Sequence, residues 1–380
     1  MYTIGLDFGT TNIKALICDE SGTIVRTMSS ATPIHYLPKG FAEFHPDEVF
    51  TAVKLVLGEL IASFDHPESI AALSFASMAE SGVALDRSLK PLAPSIAWFD
   101  QRTVPVARRL ADRVEPFEIY RITGLNVSHV PSLCKIIWER EHLHQTHKDT
   151  HRWAFLCNYL IYRLTGELKT DPTQACRSMA YDITALDWSE TLCSVFDIDP
   201  VIFPPLVNTG DVLGKILPDI ADELGCSRGV VVVQGGHDHP CGALSTGLAS
   251  QGTLCNSSGT VENALTLIGD RRNSRKLFEM GMSCGNYIIP GYTYIQGGLT
   301  SAGRSVDWFA RNFYDSDKCS AASVYDEMIV EVENVPVGSE ALFFIPHLRG
   351  SLVPHKFPAA RGSFVGLQDS HTRAHLARGI

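Results

Sequence analysis

Ile4-Gly5-Leu6-Asp7-Phe8-Gly9-Thr10-Thr11-Asn12-Ile13-Lys14 is the stretch from which the fold is read. Two apolar pieces, Tyr2–Leu6 and Ile13–Cys18, have the character of strands, and the Gly-Thr-Thr-Asn between them suits a tight turn. An ordinary hairpin accounts for that turn. It leaves unexplained Asp7, at the end of the first strand, where a carboxylate could hold a hydrated Mg²⁺. Gly9 would let backbone approach a polyphosphate, and Thr10, Thr11 and Asn12 would offer donors to phosphate oxygens. Alone, the segment suggests phosphate binding and names no enzyme.

Outward from this turn, Thr23–Met28 reads as a third strand, so the chain opens as an antiparallel meander at the edge of a mixed sheet. Pro46-Asp47-Glu48 starts a helix, and Phe50, Val53, Leu57, Ile61 and Phe64 recur on one face of it. Ile70–Phe75 and Val83–Leu85 read as strands. Amphipathic helices are expected between Thr103 and Arg163, with Trp138 and Trp153 in the core. Val230–Val233 reads as a strand buried on both faces, leading into Gly235-Gly236-His237-Asp238-His239-Pro240 and a helix over Gly242–Leu248. After Gly252 the opening pattern returns in weaker form: strand Thr253–Ser257, turn Ser258-Gly259-Thr260, strand Val261–Leu267. The expected architecture is α/β with two domains, 1–245 and 246–380.

Of the 380 residues, 32 are Lys or Arg and 42 Asp or Glu, a formal charge of -10 that disfavours nucleic acid and anionic membranes. A phosphate site must then be local. Ten cysteines lie scattered without a C-x-x-C pair, and no apolar run is long enough to span a bilayer. Reduced thiols and a cytoplasmic location are the expectation.

Asp238 is the candidate general base, since it stands where a buried strand meets a helix, the crevice at which open α/β sheets bind ligands. A helix N-cap is the alternative reading of the aspartate, though it explains neither its two glycines nor its two histidines.

With this second segment the chain resembles the FGGY family of carbohydrate kinases, of the actin–hexokinase (ribonuclease H-like) fold superfamily. The resemblance also rests on Leu85-Asp86, Pro94–Arg102, Gly259-Thr260, Ser301-Ala302-Gly303 with Trp308, Phe343–Pro346, Ala360–Leu367 and His375-Leu376. It implies transfer of the γ-phosphoryl of ATP to a sugar or polyol hydroxyl in a cleft between the domains. Asp238 would take the hydroxyl proton and Asp7 would position Mg²⁺. Thr10, Thr11 and Asn12 would lie near the phosphates, and Gly259, Thr260 and Gly303 would contact the nucleotide. Glu80 matches a polyol-binding glutamate of glycerol kinases, but Ala79 and Val130 replace their arginine and tyrosine, which argues against glycerol. Xylulokinases usually place Met-His at Ala79-Glu80, which argues against D-xylulose. Glu80, Trp98, Asp100, Arg102 and His239 are the candidate sugar contacts, with core packing for Trp98 and an internal salt bridge for Asp100–Arg102 as equal alternatives. The expected substrate is an open-chain ketose or polyol, and a homodimer is left open.

The resemblance breaks at Ala377-Arg378-Gly379-Ile380, where family members continue into a glycine-rich stretch that holds adenine. The expectation is therefore a second domain cut short, with uncovered apolar faces on Val261–Leu267 and Leu342–Ile345. A non-catalytic sugar-binding homologue remains the alternative reading, and an actin-like filament protein or chaperone ATPase a more distant one.

Overall fold

The computed structural model describes residues 1–269, 275–314, 321–351, 353–355, 357 and 359–380, with the backbone alone considered at 321–323. It divides into two compact units. The first comprises Met1–Ala249, Ile268–Asn273 and Cys284–Tyr294; the second comprises Ser250–Leu267, Ser274–Ser283 and Ile295–Ile380.

The first unit is built on a six-stranded mixed sheet of β1 (Tyr2–Phe8), β2 (Asn12–Cys18), β3 (Ile24–Ala31), β4 (Ile70–Ser77), β5 (Val212–Lys215) and β6 (Val231–His237). Its order is β5-β6-β4-β1-β2-β3, with β1 parallel to β4, β4 parallel to β6, and the remaining pairs antiparallel. The expected meander is thus β1-β2-β3 at one edge. The parallel strands β1, β4 and β6 all end on the same side, and this brings Asp7, Ser77 and His237-Asp238 to one rim.

The helix Pro46–Ala62 covers one face of the sheet. Proline fits its first position, and Asp47 and Glu48 lie in its first turn, where they complement the helix dipole. Val49, Phe50, Val53, Val56, Leu57, Leu60 and Ile61 are buried against Leu6, Phe8, Ile13 and Ile17. Each such side chain contributes roughly 1.5–3 kcal/mol of transfer free energy.

Two elements differ from expectation. Arg152–Phe155, within the stretch read as helical, is a strand paired antiparallel with Gly82–Leu85. Trp153 is buried over Gly82, where a Cβ would come within 2.1 Å of the indole. Second, β6 runs on through Gly235-Gly236 to His237, so the following helix is Asp238–Ser245, not Gly242–Leu248. Gly235 allows this extension: its Cβ would stand 1.7 Å from the Phe75 carbonyl oxygen on β4.

In the second unit, Leu254–Ser258 and Glu262–Ile268 form an antiparallel hairpin, and Phe343–Ile345 pairs with Ser363–Val365. The final helix, Arg373–Gly379, packs Ala377 into a cluster with Phe309, Ala310, Tyr314, Val324 and Met328. Arg373 lies over the Tyr314 ring and pairs with Glu331 and Glu327. Leu265, Leu267 and Leu342 are buried, against the expectation of uncovered apolar faces there. Val261, Phe343, Ile345, Val365 and Leu367 are exposed.

Nine described cysteines are free thiols; Cys319 lies outside the described residues. No described helix is long and apolar enough to cross a membrane.

Candidate functional site

Asp238 opens the helix that follows β6, with His237 as the capping residue. The Asp238 carboxylate makes no capping bond further along the helix. Its Oδ1 instead accepts from the His239 amide at 2.7 Å and lies 3.0 Å from His237 Nε2. Burial would raise its pKa, but the two histidines and the His239 amide outweigh that and bring it to about 2. The group is therefore an ionised acceptor, held through one oxygen.

Strand β6 is fixed from behind by a buried polar hub. Asp171 caps the short helix Pro172–Ala175 and accepts from Thr173, Thr209 and Gln234. Thr173 Oγ1 in turn accepts from the His237 amide at 2.8 Å. A Cβ on Gly236 would come within 2.6 Å of that hydroxyl. The two glycines before Asp238 are thus required by close packing against Phe75 and Thr173.

Asp7, at the end of β1, has its pKa raised by burial and then by the negative charge of Asp238; Lys14 opposes this. Its Oδ1 is buried without a hydrogen-bond partner. The turn beyond is held by Gly9 N donating to Asn12 O and by Thr32 Oγ1 donating to Gly9 O. Thr11 and Asn12 are exposed. Thr10 Oγ1 is already engaged, accepting from Trp98 Nε1 at 2.8 Å and donating to Met78 Sδ at 3.4 Å.

Glu80 follows β4, buried and with φ of 65°, a left-handed conformation uncommon for a side chain of this size. Arg177 grips its Oε1 through Nε and NH2, both at 2.7 Å, and Ser132 Oγ donates to the Glu80 carbonyl. Lys135 lies nearby, fully buried, its ammonium donating to the Val130 carbonyl; burial lowers its pKa to about 8 despite Glu80. The charges of Arg177 and Glu80 also reach His239, whose pKa burial lowers. Asp7, Asp238, His239 and Glu80 are thereby brought together, and Arg177 and Lys135 join them. Sequence reasoning missed both cations.

Asp100 and Arg102 satisfy each other. Arg102 donates to both Asp100 oxygens, Ala42 N and Arg102 N donate to the same carboxylate, and Glu43 takes the other Arg102 arm at 2.6 Å. All four lone-pair sites of Asp100 are occupied, so the internal salt bridge is what the geometry supplies here. Trp98 is half-buried, edge-on to Phe99 and tied to Thr10.

In the second unit, Gly259, Thr260 and Gly303 also meet. Gly303 N donates to Gly259 O at 2.8 Å, and Ala302 N and Arg304 N donate to Thr260 O. A Cβ on Gly303 would lie 2.7 Å from Gly259 O, so the turn sits directly on the start of the helix Gly303–Phe313.

A cavity of about 1050 Å³ opens on the sheet of the first unit, where Asp7 and Lys14 line it among apolar and small strand residues. Glu80, Trp98, Asp238 and His239 are not on its wall and lie at the strand-end cluster instead.

Models of known families match the chain along almost its whole length. The N-terminal domain of the FGGY family of carbohydrate kinases matches residues 2–245, and the C-terminal domain of that family matches residues 254–380. The chain is 29% identical over 381 residues to a xylulose kinase of Bacillus subtilis, covering 100% of this chain and 74% of that protein. It is 30% identical over 385 residues to a xylulose kinase of Lactococcus lactis, again covering 100% and 74%. Among solved structures, a gluconate kinase from Lactobacillus acidophilus superposes with a TM-score of 0.88 at 25% identity, covering 100% of this chain and 75% of that one. The chain thus spans about three quarters of the length of these relatives.

Proposed function

The chain belongs to the FGGY family of carbohydrate kinases, phosphotransferases to an alcohol group with the two-domain actin-like α/β fold, and on that premise we propose a role for each residue of the cluster. Asp238 accepts the proton of the sugar hydroxyl as that oxygen attacks the γ-phosphorus of ATP. The observation that carries this reading is the pairing of an ionised Asp238 with Asp7, whose buried Oδ1 lacks a partner. A buried carboxylate raised in pKa by a neighbouring negative charge is a natural ligand for a hard dication. Asp7 fits Mg²⁺, which when bound neutralises phosphate charge.

Phosphoryl transfer depends mostly on positioning and charge stabilisation, so the remaining roles concern orientation. His237 and the His239 amide hold one Asp238 oxygen and leave Oδ2 for the hydroxyl proton. A base kept well below neutral pKa is always ionised at pH 7; its contribution is alignment and acceptance of a proton that becomes acidic only as the new P–O bond forms. Glu80, fixed by Arg177 through Oε1, presents Oε2 to a substrate hydroxyl, and His239 offers a further polar contact. Trp98 walls the same region through its bond to Thr10, and Asp100 and Arg102 set the loop that carries Trp98. Thr10, Thr11 and Asn12 border the phosphates, and Gly259, Thr260 and Gly303 are the nucleotide contacts carried by the second unit.

The substrate class is a hydroxyl-rich, open-chain ketose or polyol. Ala79 and Val130 stand against glycerol and Ala79-Glu80 against D-xylulose, although two of the relatives are named xylulose kinases. A coupled ADP-release assay against a panel of ketoses, polyols and aldonates tests the reading. Turnover with a ketose or polyol is the expected outcome. Sugar binding without ADP release from any of them would favour the non-catalytic sugar-binding alternative.

A further inference from the structure

Outside this cluster, two histidines and a glutamate converge at the start of the helix Pro46–Ala62. His35 lies on the strand His35–Leu37, His45 immediately precedes the helix, and Glu48 is in its first turn. The strand Phe41–Phe44 pairs antiparallel with His35–Leu37 and carries the chain from one histidine to the other. His35 Nε2 lies 2.6 Å from Glu48 Oε2, His45 Nδ1 lies 3.6 Å from Glu48 Oε1, and the imidazole centroids are 4.1 Å apart. One ligand-type atom from each residue falls within 4.8 Å of the other two. Tetrahedral ligands at about 2.0–2.2 Å from a metal are separated by about 3.3–3.6 Å, so side-chain rotations of roughly an ångström close the set.

An ion pair alone does not account for the arrangement. Glu48 needs only one imidazole partner, which His35 supplies, yet a second ring is held beside the first at 4.1 Å. Neighbouring acids are engaged elsewhere: Glu43 with Arg102, and Asp47 with Arg163 and Tyr159. All three side chains are partly exposed, which leaves a path for a metal and room for a water ligand.

We propose that His35, His45 and Glu48 form a surface site for a borderline transition-metal dication, with Zn²⁺ as the reference ion. Two imidazoles and one carboxylate suit Zn²⁺, Ni²⁺ or Cu²⁺ and are a poor match for Mg²⁺, which prefers an all-oxygen octahedron. Occupancy would tie the strand His35–Leu37 to the start of the helix.

The full chain, stripped with chelator and dialysed, is titrated with ZnCl₂ by calorimetry at pH 7.5 in excess Mg²⁺. One saturable site is expected, weakening as pH falls because protons compete for the imidazoles. His35→Ala and His45→Ala should each weaken binding by on the order of 100-fold or more, because losing an outer-sphere partner alone costs about 10–100-fold. Glu48→Gln should weaken it in the same direction. His239→Ala, which removes a ligand from the other cluster, His237, Asp238 and His239, should leave it unchanged. Melting without metal verifies that each variant is folded. No saturable binding below millimolar Zn²⁺ overturns the proposal, as does binding that survives both His35→Ala and His45→Ala or disappears in His239→Ala. An anomalous zinc peak away from these three residues would overturn it independently.

Discussion

Arg177 holds Glu80 by a single oxygen, donating to Oε1 from Nε at 2.7 Å with NH2 at the same distance, and among the described residues no side chain claims Oε2. The pair joins two chain segments 97 residues apart and stabilises an extended reach from a left-handed backbone. Strain of that kind costs on the order of 1–3 kcal/mol and persists only where surroundings over-determine it.

Arg177→Lys keeps the charge but loses the two-pronged grip, and Arg177→Ala leaves Glu80 buried and unpaired. If Arg177 positions Glu80 for a sugar hydroxyl, Arg177→Lys should raise KM for the sugar about 10- to 150-fold, the worth of a charge-assisted hydrogen bond, with little change in kcat. Arg177→Ala should also lower stability, by about 3–5 kcal/mol, because a buried charge loses its partner. Steady-state kinetics with the sugar varied separates the two effects. An unchanged KM for the sugar in Arg177→Lys would remove Glu80 from the substrate.

The Asp238 geometry makes a prediction in pH. With its pKa held near 2 by His237 and His239, the base is ionised throughout the working range. The kcat/KM profile should therefore show no protonation of Asp238 above about pH 4. His237→Ala removes one of the two stabilising histidines, so the Asp238 pKa should rise and the acid limb should move to higher pH. The depressed folded pKa also adds stability that is complete above the unfolded value of about 3.8 and lost as pH falls through about 2. Asp238→Asn should lower kcat by on the order of 10²–10⁴ while sugar binding, followed by calorimetry, stays largely intact.

Gly235 and Gly236 offer a graded test of packing. A Cβ on Gly235 meets the Phe75 carbonyl at 1.7 Å, backbone against backbone between β6 and β4. On Gly236 it meets the Thr173 hydroxyl at 2.6 Å, a side-chain atom able to shift. Gly235→Ala should thus destabilise by more than about 3 kcal/mol, or prevent folding, and Gly236→Ala by roughly 1–3 kcal/mol. Denaturant midpoints measure both. Equal losses would mean that β6 can move away from β4.

These contacts show what could be read from residues and what could not. The β1 turn, the helix at Pro46 and the position of Asp238 at a strand end were legible because period and turn chemistry are local. Arg152–Phe155 was not, because its partner Gly82–Leu85 is some 70 residues earlier and three of its four residues are buried, which masks alternation. Lys135 and Arg177 escaped notice because nothing in a sequence distinguishes a buried cation from a solvated one. The same blindness left Trp98, Asp100 and Arg102 balanced between substrate and salt bridge, until the four donors around Asp100 were visible.

The two units should differ in resistance to proteolysis. The first unit encloses a large apolar cluster on one face of its six-stranded sheet, where β1, β2 and β4 pack on the helix Pro46–Ala62. In the second, Phe343, Val365 and Leu367 are each at least half exposed, along with Leu254, Ile329 and Val330. Exposed apolar strands and helix faces lose little when a segment opens, so local unfolding there is less costly than in the first unit. Brief digestion with proteinase K, which needs no basic residue, should cut the second unit first and leave a resistant fragment that retains Met1–Ala249. Nucleotide should slow that cutting if Gly259, Thr260 and Gly303 bind it, since a ligand selective for the folded form stabilises it by mass action. A single resistant fragment spanning residues 1–380 would contradict the stability difference, and unchanged digestion in saturating ATP would contradict the nucleotide contact.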